Sequence, residues 1–190
     1  MTFYHNTDNA VAYAKMCEGY DAADQLGLLH KHLPTGAKLL EIGSGPGNDI
    51  ALLNEKYDVT ASDYSPAFLK MVKERFPDVM TKLLDAVALD IEGPFNAIYS
   101  NKVLQHLTDD ELSKSFSRQA SLLSDQGLIY HLIWTELDYP DAPHGLQYIA
   151  RSEQEIATAM APNFEVVATQ SFGEFSDNDS LVILARKLKQ

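Results

Sequence analysis

Three alternating glycines, Gly43, Gly45 and Gly47, follow a run of strand-forming residues and form a backbone that a ligand can approach closely. Glycine tolerates positive φ, so a strand that ends at Ile42 can turn sharply into a helix there. Asp63 comes twenty residues after the first glycine and closes a second apolar run. In a parallel sheet, a carboxylate at this place accepts two hydrogen bonds from a ribose diol. The pattern therefore predicts an adenosine-type ligand.

Glu41 lies two residues before the first glycine and indicates which adenosine derivative fits. A dinucleotide-binding turn reads G-x-G-x-x-G and directs a helix N-terminus at a pyrophosphate. Here the glycines read G-x-G-x-G, and Pro46 stiffens the turn. A carboxylate so close to the turn repels a pyrophosphate and suits an ammonium or sulfonium group. Ser44 and Asn48 can donate to an amino-acid carboxylate, although Asn48 can instead cap the next helix.

The segment Leu39–Asn48 resembles motif I of the class I S-adenosylmethionine-dependent methyltransferases, an acidic residue, a spacer and then G-x-G-x-G. Three further motifs follow in the family's order. By this resemblance Asp63 binds the ribose, Asp85 contacts the adenine amino group, and Phe95–Leu107 is the fourth motif. Asp90 is a rival to Asp85, but the apolar run ends directly before Asp85.

The ends of the neighbouring strands indicate further cofactor contacts. Tyr64 can stack on adenine, and Ala86 offers a backbone N–H to a ring nitrogen. Ser100 and Asn101 end the fourth strand at the carboxyl edge, where open α/β sheets bind their ligands. In the family this position lines the methionine part of the cofactor and the transferred methyl group.

His106 follows in the same motif, at the edge of the predicted crevice. Its unperturbed pKa of about 6.5 suits a general base, although the ring can instead pack beneath the cofactor or hold the loop. The substrate wall is expected after the fifth strand, with Arg151 available for an acidic group. The wall candidates are Trp134, His144, Tyr148 and Arg151.

The segment before the first strand is rich in aromatic residues, and Tyr4 and Tyr13 are the candidates for a lid over the cofactor. Such a tyrosine face attracts a sulfonium group through its π electrons and can hydrogen-bond a carboxylate. The alternative is a helix that only docks by its apolar stripe Tyr13, Cys17 and Tyr20.

Strand-like runs alternate with helix-like runs, which predicts an α/β fold with a parallel sheet covered by helices on both faces. The predicted strands are Lys38–Ile42, Tyr57–Ala61, Val79–Leu84, Phe95–Ser100, Gly127–Trp134, Phe164–Phe172 and Leu181–Lys187. Helices are predicted at Asn9–Glu18 and Asn48–Lys56, after Ser65, and after capping boxes at Thr108 and Ser152.

No helix separates the last two strands, so they are expected to form an antiparallel hairpin. The resemblance implies a doubly wound sheet of seven strands in the order 3-2-1-4-5-7-6, with strand 7 antiparallel and an N-terminal helical lid. One domain is expected over residues 1–190. It would consist of a cap segment (1–35), a cofactor-binding core (36–135) and a substrate wall with the C-terminal hairpin (136–190).

The charge of −12, from 15 Lys and Arg against 27 Asp and Glu, argues against nucleic acid or an anionic membrane as partner. The fourth motif, SNKV, also lacks the two prolines typical of enzymes that methylate base amines. No apolar run approaches the roughly 18 residues that span a bilayer, so a soluble cytoplasmic protein is expected, as a monomer or small homo-oligomer. His30 and His32 point to different helix faces, so no metal is expected.

The resemblance therefore predicts methyl transfer from S-adenosylmethionine to a small molecule by in-line displacement, with S-adenosylhomocysteine as product. Two alternatives remain open. One is a protein that binds the cofactor without turning it over. The other is an NAD-dependent oxidoreductase, which the glycine spacing and the final hairpin disfavour.

Overall fold

The computed structural model describes residues 3–135 and 147–189, which fold around a seven-stranded sheet of order β3-β2-β1-β4-β5-β7-β6. Strands β1 to β5 are parallel to one another, and β7 runs antiparallel to both β5 and β6. The predicted sheet order and antiparallel hairpin are confirmed. The strands are β1 Lys38–Ile42, β2 Asp58–Asp63, β3 Met80–Leu83, β4 Phe95–Asn101, β5 Leu123–Trp134, β6 Phe164–Phe172 and β7 Ser180–Lys187.

Six α-helices flank the sheet within the described residues. They are α1 Thr7–Met16, α2 Gly27–His32, α3 Ile50–Asn54, α4 Pro66–Arg75, α5 Asp109–Leu122 and α6 Glu153–Met160. None of these helices is long and apolar enough to cross a membrane.

Polar caps set the starts of three helices where the sequence predicts them. Ser65 is the N-cap of α4, and its side chain accepts a backbone N–H of the first turn. Thr108 and Glu111 form a reciprocal capping box at α5, and Ser152 and Glu155 form another at α6. Each box satisfies backbone donors that the first helical turn leaves without a partner.

Several predicted boundaries differ from the structure by one or more residues, and at two of them tertiary contacts override the local pattern. The helix predicted at Asn48–Lys56 is shorter, since Asn48 uses its side-chain amide to donate to the Cys17 carbonyl (2.8 Å) rather than to cap a helix. Strand β5 begins at Leu123 instead of Gly127, since Leu123 pairs with β4 across a bulge.

The register of the central strands brings the predicted site residues to one edge of the sheet. Ile42 of β1 pairs with Ser62 of β2 and with Ser100 of β4. The carboxyl ends of these strands are therefore level. Asp63 and Asn101, the next residues along β2 and β4, lie beside the turn that follows β1.

Both faces of the sheet are buried, as expected for a doubly wound fold. Helices α5 and α6 pack on one face in a cluster that includes Ile98, Phe116, Ile129, Ile156 and Ile183. The other face carries the N-terminal helical region in a cluster that includes Leu26, Leu29, Leu39, Tyr99 and Tyr130. The N-terminal region thus shares the main core instead of forming its own.

The turn between β6 and β7 is organised by Asp179, whose side chain is buried. Its carboxylate accepts hydrogen bonds from the backbone N–H groups of Glu174 (2.9 Å), Phe175 (2.7 Å) and Ser176 (2.9 Å). Burial alone raises the pKa of an acid, but these donors hold the pKa of Asp179 below its ordinary value. The turn therefore has a fixed shape and presents Glu174 toward the sheet.

We predict that Asp179→Ala destabilises the fold by about 2–3 kcal/mol at neutral pH, because hydrogen bonds to a charged acceptor are lost. Because the folded pKa is lowered, this stabilisation is complete above the unfolded pKa of about 3.9 and is lost as the pH falls through the folded value. Urea unfolding at several pH values measures it. Asp177→Ala, an exposed acid in the same turn, is the matched control; equal effects of the two changes would refute the role of Asp179.

Candidate active site

The structure shows why glycine is required or useful at each of the three positions in the turn after β1. Gly43, Gly45 and Gly47 all have positive φ, at +68°, +52° and +86°. A Cβ at Gly43 would collide with the Val103 side chain, and one at Gly47 would lie 3.1 Å from Val72. A Cβ at Gly45 would meet nothing within 4 Å. Gly45 therefore exposes bare backbone to open space, and the other two let the turn pack closely against the fold.

Glu41 is almost completely buried beneath this turn, with 2% of its surface exposed. Its Oε2 atom has no hydrogen-bond partner among the described residues. Burial, followed by the neighbouring carboxylates of Asp49 and Asp63, raises the pKa of Glu41 well above its ordinary value. An unpartnered buried carboxyl group is costly, so this position suits a cationic ligand group.

Asp49 is a site residue that sequence reasoning missed. It is buried, and its carboxylate accepts hydrogen bonds from Ala22 N (2.9 Å), Tyr99 Oη (2.7 Å) and Asn101 Nδ2 (3.0 Å). Burial raises the pKa of Asp49, and these donors partly offset the rise. The only sign of it in the sequence is an acidic residue that follows the glycine turn. Asn101 is held by this bond, and its Oδ1 atom is buried without a partner in the described structure.

Asp63 lies beside the glycine turn, as the ribose prediction requires. Its Oδ2 accepts from Gly45 N (2.9 Å) and its Oδ1 from Ser65 N (2.8 Å). Burial raises the pKa of Asp63 to about 6, against the opposing effect of these N–H donors. Each carboxylate oxygen has a second lone pair, so a diol can still bind. Tyr64, 42% exposed, has its ring 4.6 Å from that of His5.

Asp85 follows β3 at the same edge of the sheet and is exposed. Its Oδ1 accepts from the backbone N–H groups of Val87 (2.8 Å) and Ala88 (2.9 Å), so the carboxylate also shapes this loop. The carbonyl of Ala86 accepts from a serine of α5. The rival acid, Asp90, lies elsewhere. It lines a cavity of about 780 Å³ at the amino ends of the strands, far from the glycine turn.

The N-terminal segment covers the glycine turn. Tyr4 and Tyr13 have ring centroids 5.0 Å apart, and both rings pack on Phe68 of α4. Ser65 Oγ donates to the Tyr4 carbonyl, and burial raises the pKa of both tyrosines. Beneath the segment lies a cleft of only about 70 Å³. The residues around this cleft include Tyr13, Tyr20, Glu41, Ser44, Asn101 and Lys102.

His106 has a defined tautomer. Its Nδ1 lies 2.7 Å from the Gln147 carbonyl oxygen, which only accepts, so Nδ1 carries the proton and Nε2 is left with a bare lone pair. Burial lowers the pKa of His106, so the ring is neutral at physiological pH. The ring packs edge-on against Tyr148, 4.6 Å between centroids. This state is the one that a general base requires.

Ser100 is predicted to line the cofactor, but its side chain is fully buried and faces the interior. Its hydroxyl lies 2.8 Å from His131 Nδ1, and His131 Nε2 lies 3.0 Å from Gln119 Oε1. Burial lowers the pKa of His131 to about 3, so this network is neutral. The prediction for Ser100 is therefore wrong for its side chain. Alternation along the strand directs Asn101, and not Ser100, toward the cleft.

Sequence reasoning also missed an ion pair beside the cleft. Lys102 has φ of +57°, and its Nζ lies 2.8 Å from Glu174 and 2.7 Å from Ser180 Oγ. Glu174 also accepts from Trp134 Nε1 (2.7 Å) and from the Tyr20 hydroxyl. The pair joins the end of β4, the β6–β7 turn and the N-terminal segment. No local pattern in the sequence indicates it, because the partners are 72 residues apart.

The substrate-wall prediction is only partly supported by the geometry. Trp134 lies beside the cleft, whereas His144 is outside the described residues. Arg151 is 5% exposed, and its guanidinium donates to Asp109 (2.9 Å) and to the Leu107 carbonyl (2.6 Å). Its donors are used to hold the loop before α5, so the predicted role for Arg151, binding an acidic substrate group, is wrong.

Comparison with known proteins is consistent with this geometry. Residues 39–127 match the family described as Methyltransferase domain. A trans-aconitate 2-methyltransferase from Methylobacterium radiotolerans is 37% identical over 73 residues, 37% of this chain and 28% of that protein. The chain spans 28% to 36% of the length of this and two similar curated relatives.

Solved structures share the fold over nearly the whole chain. One is a Burkholderia thailandensis 1,6-didemethyltoxoflavin-N1-methyltransferase with bound 1,6-didemethyltoxoflavin and S-adenosylhomocysteine; the TM-score is 0.78 at 24% identity, covering 94% of this chain and 83% of that one. A TehB-like methyltransferase from Corynebacterium glutamicum gives a TM-score of 0.77 at 20% identity, covering 96% and 100%. The chain is therefore similar over residues 39–127 to the methyltransferase domain family, and it shares its fold with solved methyltransferase structures.

Proposed function

We propose that the chain binds S-adenosylmethionine at the glycine turn and transfers its methyl group to a small molecule. The observation that carries the proposal is a set of buried polar atoms without partners in the described structure, Glu41 Oε2, Ser44 Oγ and Asn101 Oδ1. They belong to residues that line one cleft. An amino acid end group supplies what they lack, an ammonium for Glu41 and Asn101 and a carboxylate for Ser44.

With the amino acid end group in the cleft, the ribose and adenine of the cofactor extend toward the ends of β2 and β3. Asp63 holds the ribose hydroxyls, and Tyr64 and the Asp85–Ala86 loop lie where the adenine extends. Asn48 supports the site indirectly, because its amide holds Cys17 of the covering segment. We propose that the chain acts as one domain, with residues 1–35 as cap, 36–135 as cofactor-binding core and 136–190 as substrate wall and hairpin.

Bound S-adenosylmethionine would supply an electrophilic methyl carbon to the acceptor and would leave as S-adenosylhomocysteine, with the C–S electron pair kept on sulfur. The protein has to align the acceptor and exclude water. The bare Nε2 of His106 takes the proton that an acceptor N–H or O–H loses. His106 is thus the proposed catalytic residue, and no covalent intermediate with the protein is needed.

A small-molecule acceptor is supported by the relatives and by charge. The named relatives are a trans-aconitate 2-methyltransferase and a 1,6-didemethyltoxoflavin-N1-methyltransferase. The net charge of −12 disfavours nucleic acid and anionic membranes. We propose that the protein works as a monomer or small homo-oligomer in the cytoplasm, where S-adenosylmethionine is made and kept.

The N-terminal segment acts as a lid in this proposal. Pockets for small ligands occupy about 300–1,000 Å³, whereas the cleft under Tyr4 and Tyr13 measures only about 70 Å³. A nucleoside-sized ligand therefore requires this segment to move outward and close again. The contacts that hold it include Ser65 to Tyr4, Asn48 to Cys17, Tyr20 to Glu174 and the rings on Phe68.

The ligand preference tests the proposal directly. We expect titration calorimetry to show binding of S-adenosylmethionine and S-adenosylhomocysteine and no comparable binding of NAD, because Glu41 repels a pyrophosphate. Tight binding of NAD without a response to the other two ligands would contradict the proposed function.

Asp63→Ala should weaken the binding of S-adenosylhomocysteine by about 1.5–3 kcal/mol, since hydrogen bonds from the diol to a charged acceptor are lost. Asp58→Ala, an exposed acid at the opposite end of β2, is the control. Because the pKa of Asp63 is raised to about 6, wild-type affinity should fall as the pH drops through that value. Calorimetry gives the affinities, and urea unfolding corrects for lost contacts to Gly45 and Ser65. An unchanged dissociation constant means that the diol is bound elsewhere.

If the N-terminal segment is a lid, ligand binding should increase the protection of its backbone amides against hydrogen exchange. Amide hydrogen exchange of residues 3–20 should slow when S-adenosylhomocysteine binds, and changing Tyr4 and Tyr13 together to Ala should abolish that change and impair ligand affinity more than folding. Val11→Ala, on the exposed face of α1, is the control. Equal protection with and without ligand would leave the segment as a docked structural helix.

A further inference from the structure

Four aromatic side chains, which we call the aromatic rim, lie at or beside the cleft. Tyr20 lines the cleft, and Trp134, which packs on the cleft residue Lys102, contacts Tyr148 and Phe175. The Trp134 ring lies 6.0 Å from Tyr148 and 6.0 Å from Phe175, centroid to centroid. Phe175 is 69% exposed and Tyr20 is 40% exposed. Exposed aromatic residues that cluster at the edge of a cleft are typical of a binding surface.

The rim continues directly into the proposed methyl-transfer site. Tyr20 lines the cleft itself, together with Lys102. The Lys102 ammonium lies 5.1 Å from the centre of the Trp134 ring, and Tyr148 packs on His106. Burial is the main cause that raises the pKa of Tyr4 and of Tyr13, and the nearby Tyr148 adds a smaller contribution to both. A molecule held by the rim therefore lies between the proposed base and the glycine turn.

The charges around the rim do not favour anions. The ammonium of Lys102 is neutralised by Glu174 at 2.8 Å, and both side chains are about nine-tenths buried. Arg151 uses its donors on Asp109 and on backbone carbonyls. A carboxylate group entering here meets no unpaired cation on Lys102 or Arg151.

We infer that the methyl acceptor is a planar aromatic or heteroaromatic compound that is uncharged or cationic, and that the aromatic rim binds its ring. This inference rests on the proposed function and defines the substrate class of the same site. Flat rings stack on Trp and Tyr faces at little cost in side-chain entropy, and the net charge of −12 disfavours an anionic ring relative to a neutral or positive one. A flexible polycarboxylate gains neither interaction.

The family match does not determine the acceptor, because it ends before the rim. The methyltransferase family matches residues 39–127, whereas Trp134, Tyr148 and Phe175 all come later in the chain. The region shared with the trans-aconitate methyltransferases amounts to less than half of this chain. The acceptor specificity of those relatives therefore has to be tested here and not transferred.

The test uses the protein saturated with S-adenosylhomocysteine and measures acceptor binding by calorimetry, without turnover. The probes are 4-hydroxyquinoline, quinoline-4-carboxylate and trans-aconitate, which separate ring from charge. We expect 4-hydroxyquinoline to bind at least about tenfold more tightly than either carboxylate. If S-adenosylhomocysteine itself does not bind, the proposed function is refuted. That result differs from a complex that binds S-adenosylhomocysteine but does not bind 4-hydroxyquinoline.

Two variants assign the preference to the residues named. Trp134→Leu should weaken the binding of 4-hydroxyquinoline by about tenfold and should leave the affinity for S-adenosylhomocysteine unchanged. Glu174→Gln leaves Lys102 without its counter-charge and should raise the affinity for quinoline-4-carboxylate relative to 4-hydroxyquinoline. Glu165→Gln, the same charge change at the opposite end of β6, should leave that ratio unchanged.

Three outcomes would overturn the inference. One is tighter binding of trans-aconitate or quinoline-4-carboxylate than of 4-hydroxyquinoline to the wild-type complex. Another is no binding of 4-hydroxyquinoline to a complex that does bind S-adenosylhomocysteine. The third is an unaltered probe ratio in Glu174→Gln.

Discussion

The structure depends on how three carboxylates are accommodated around one glycine turn. Glu41, Asp49 and Asp63 converge there, and burial raises the pKa of each. Asp49 is stabilised by a backbone N–H, a tyrosine hydroxyl and the Asn101 amide, and Asp63 by the N–H groups of the turn and of the α4 N-terminus. Glu41 lacks an equivalent partner for Oε2 among the described residues. The fold thus leaves one buried carboxyl group that a cationic ligand group can stabilise in its ionised form, and this is the feature that distinguishes the site from a pyrophosphate site.

The elements outside the parallel sheet are tied to the same place. Ala22 donates to Asp49, Cys17 accepts from the turn residue Asn48, and Tyr4 accepts from the cap of α4. From the other side, the turn between β6 and β7 presents Glu174 to Lys102 at the end of β4. These contacts are polar and join segments that are far apart in the sequence, whereas the sheet is held by two large apolar clusters. An apolar core beneath covering segments that polar contacts hold is an arrangement that permits both ligand entry and water exclusion.

Patterns that act within a few residues were predictable from the sequence. The bounds of β1, the two capping boxes, the hairpin and the positions of Glu41 and Asp63 all follow from local residue preferences and from the level ends of parallel strands. Contacts between distant segments were not predictable in this way. The roles of Asp49 and of the Lys102–Glu174 pair need partners brought together by the fold. The sequence suggests a substrate role for Arg151, because no local pattern shows that a charged loop residue has a partner inside the fold. It suggests a cofactor role for Ser100, because a position at a strand end does not reveal the hydrogen bond to His131.

The central claim is that Glu41 receives the cationic group of the ligand, and proton release on binding measures it most directly. Calorimetry of S-adenosylmethionine in buffers of different ionisation enthalpy, between about pH 5.5 and 8, gives the number of protons released, because a nearby cation lowers the raised pKa of Glu41. Asp63 contributes below about pH 6, so Glu41→Gln provides the reference. We predict that wild-type protein releases more protons than Glu41→Gln and binds more tightly. Equal proton release and equal affinity in the two proteins would contradict this account of the site.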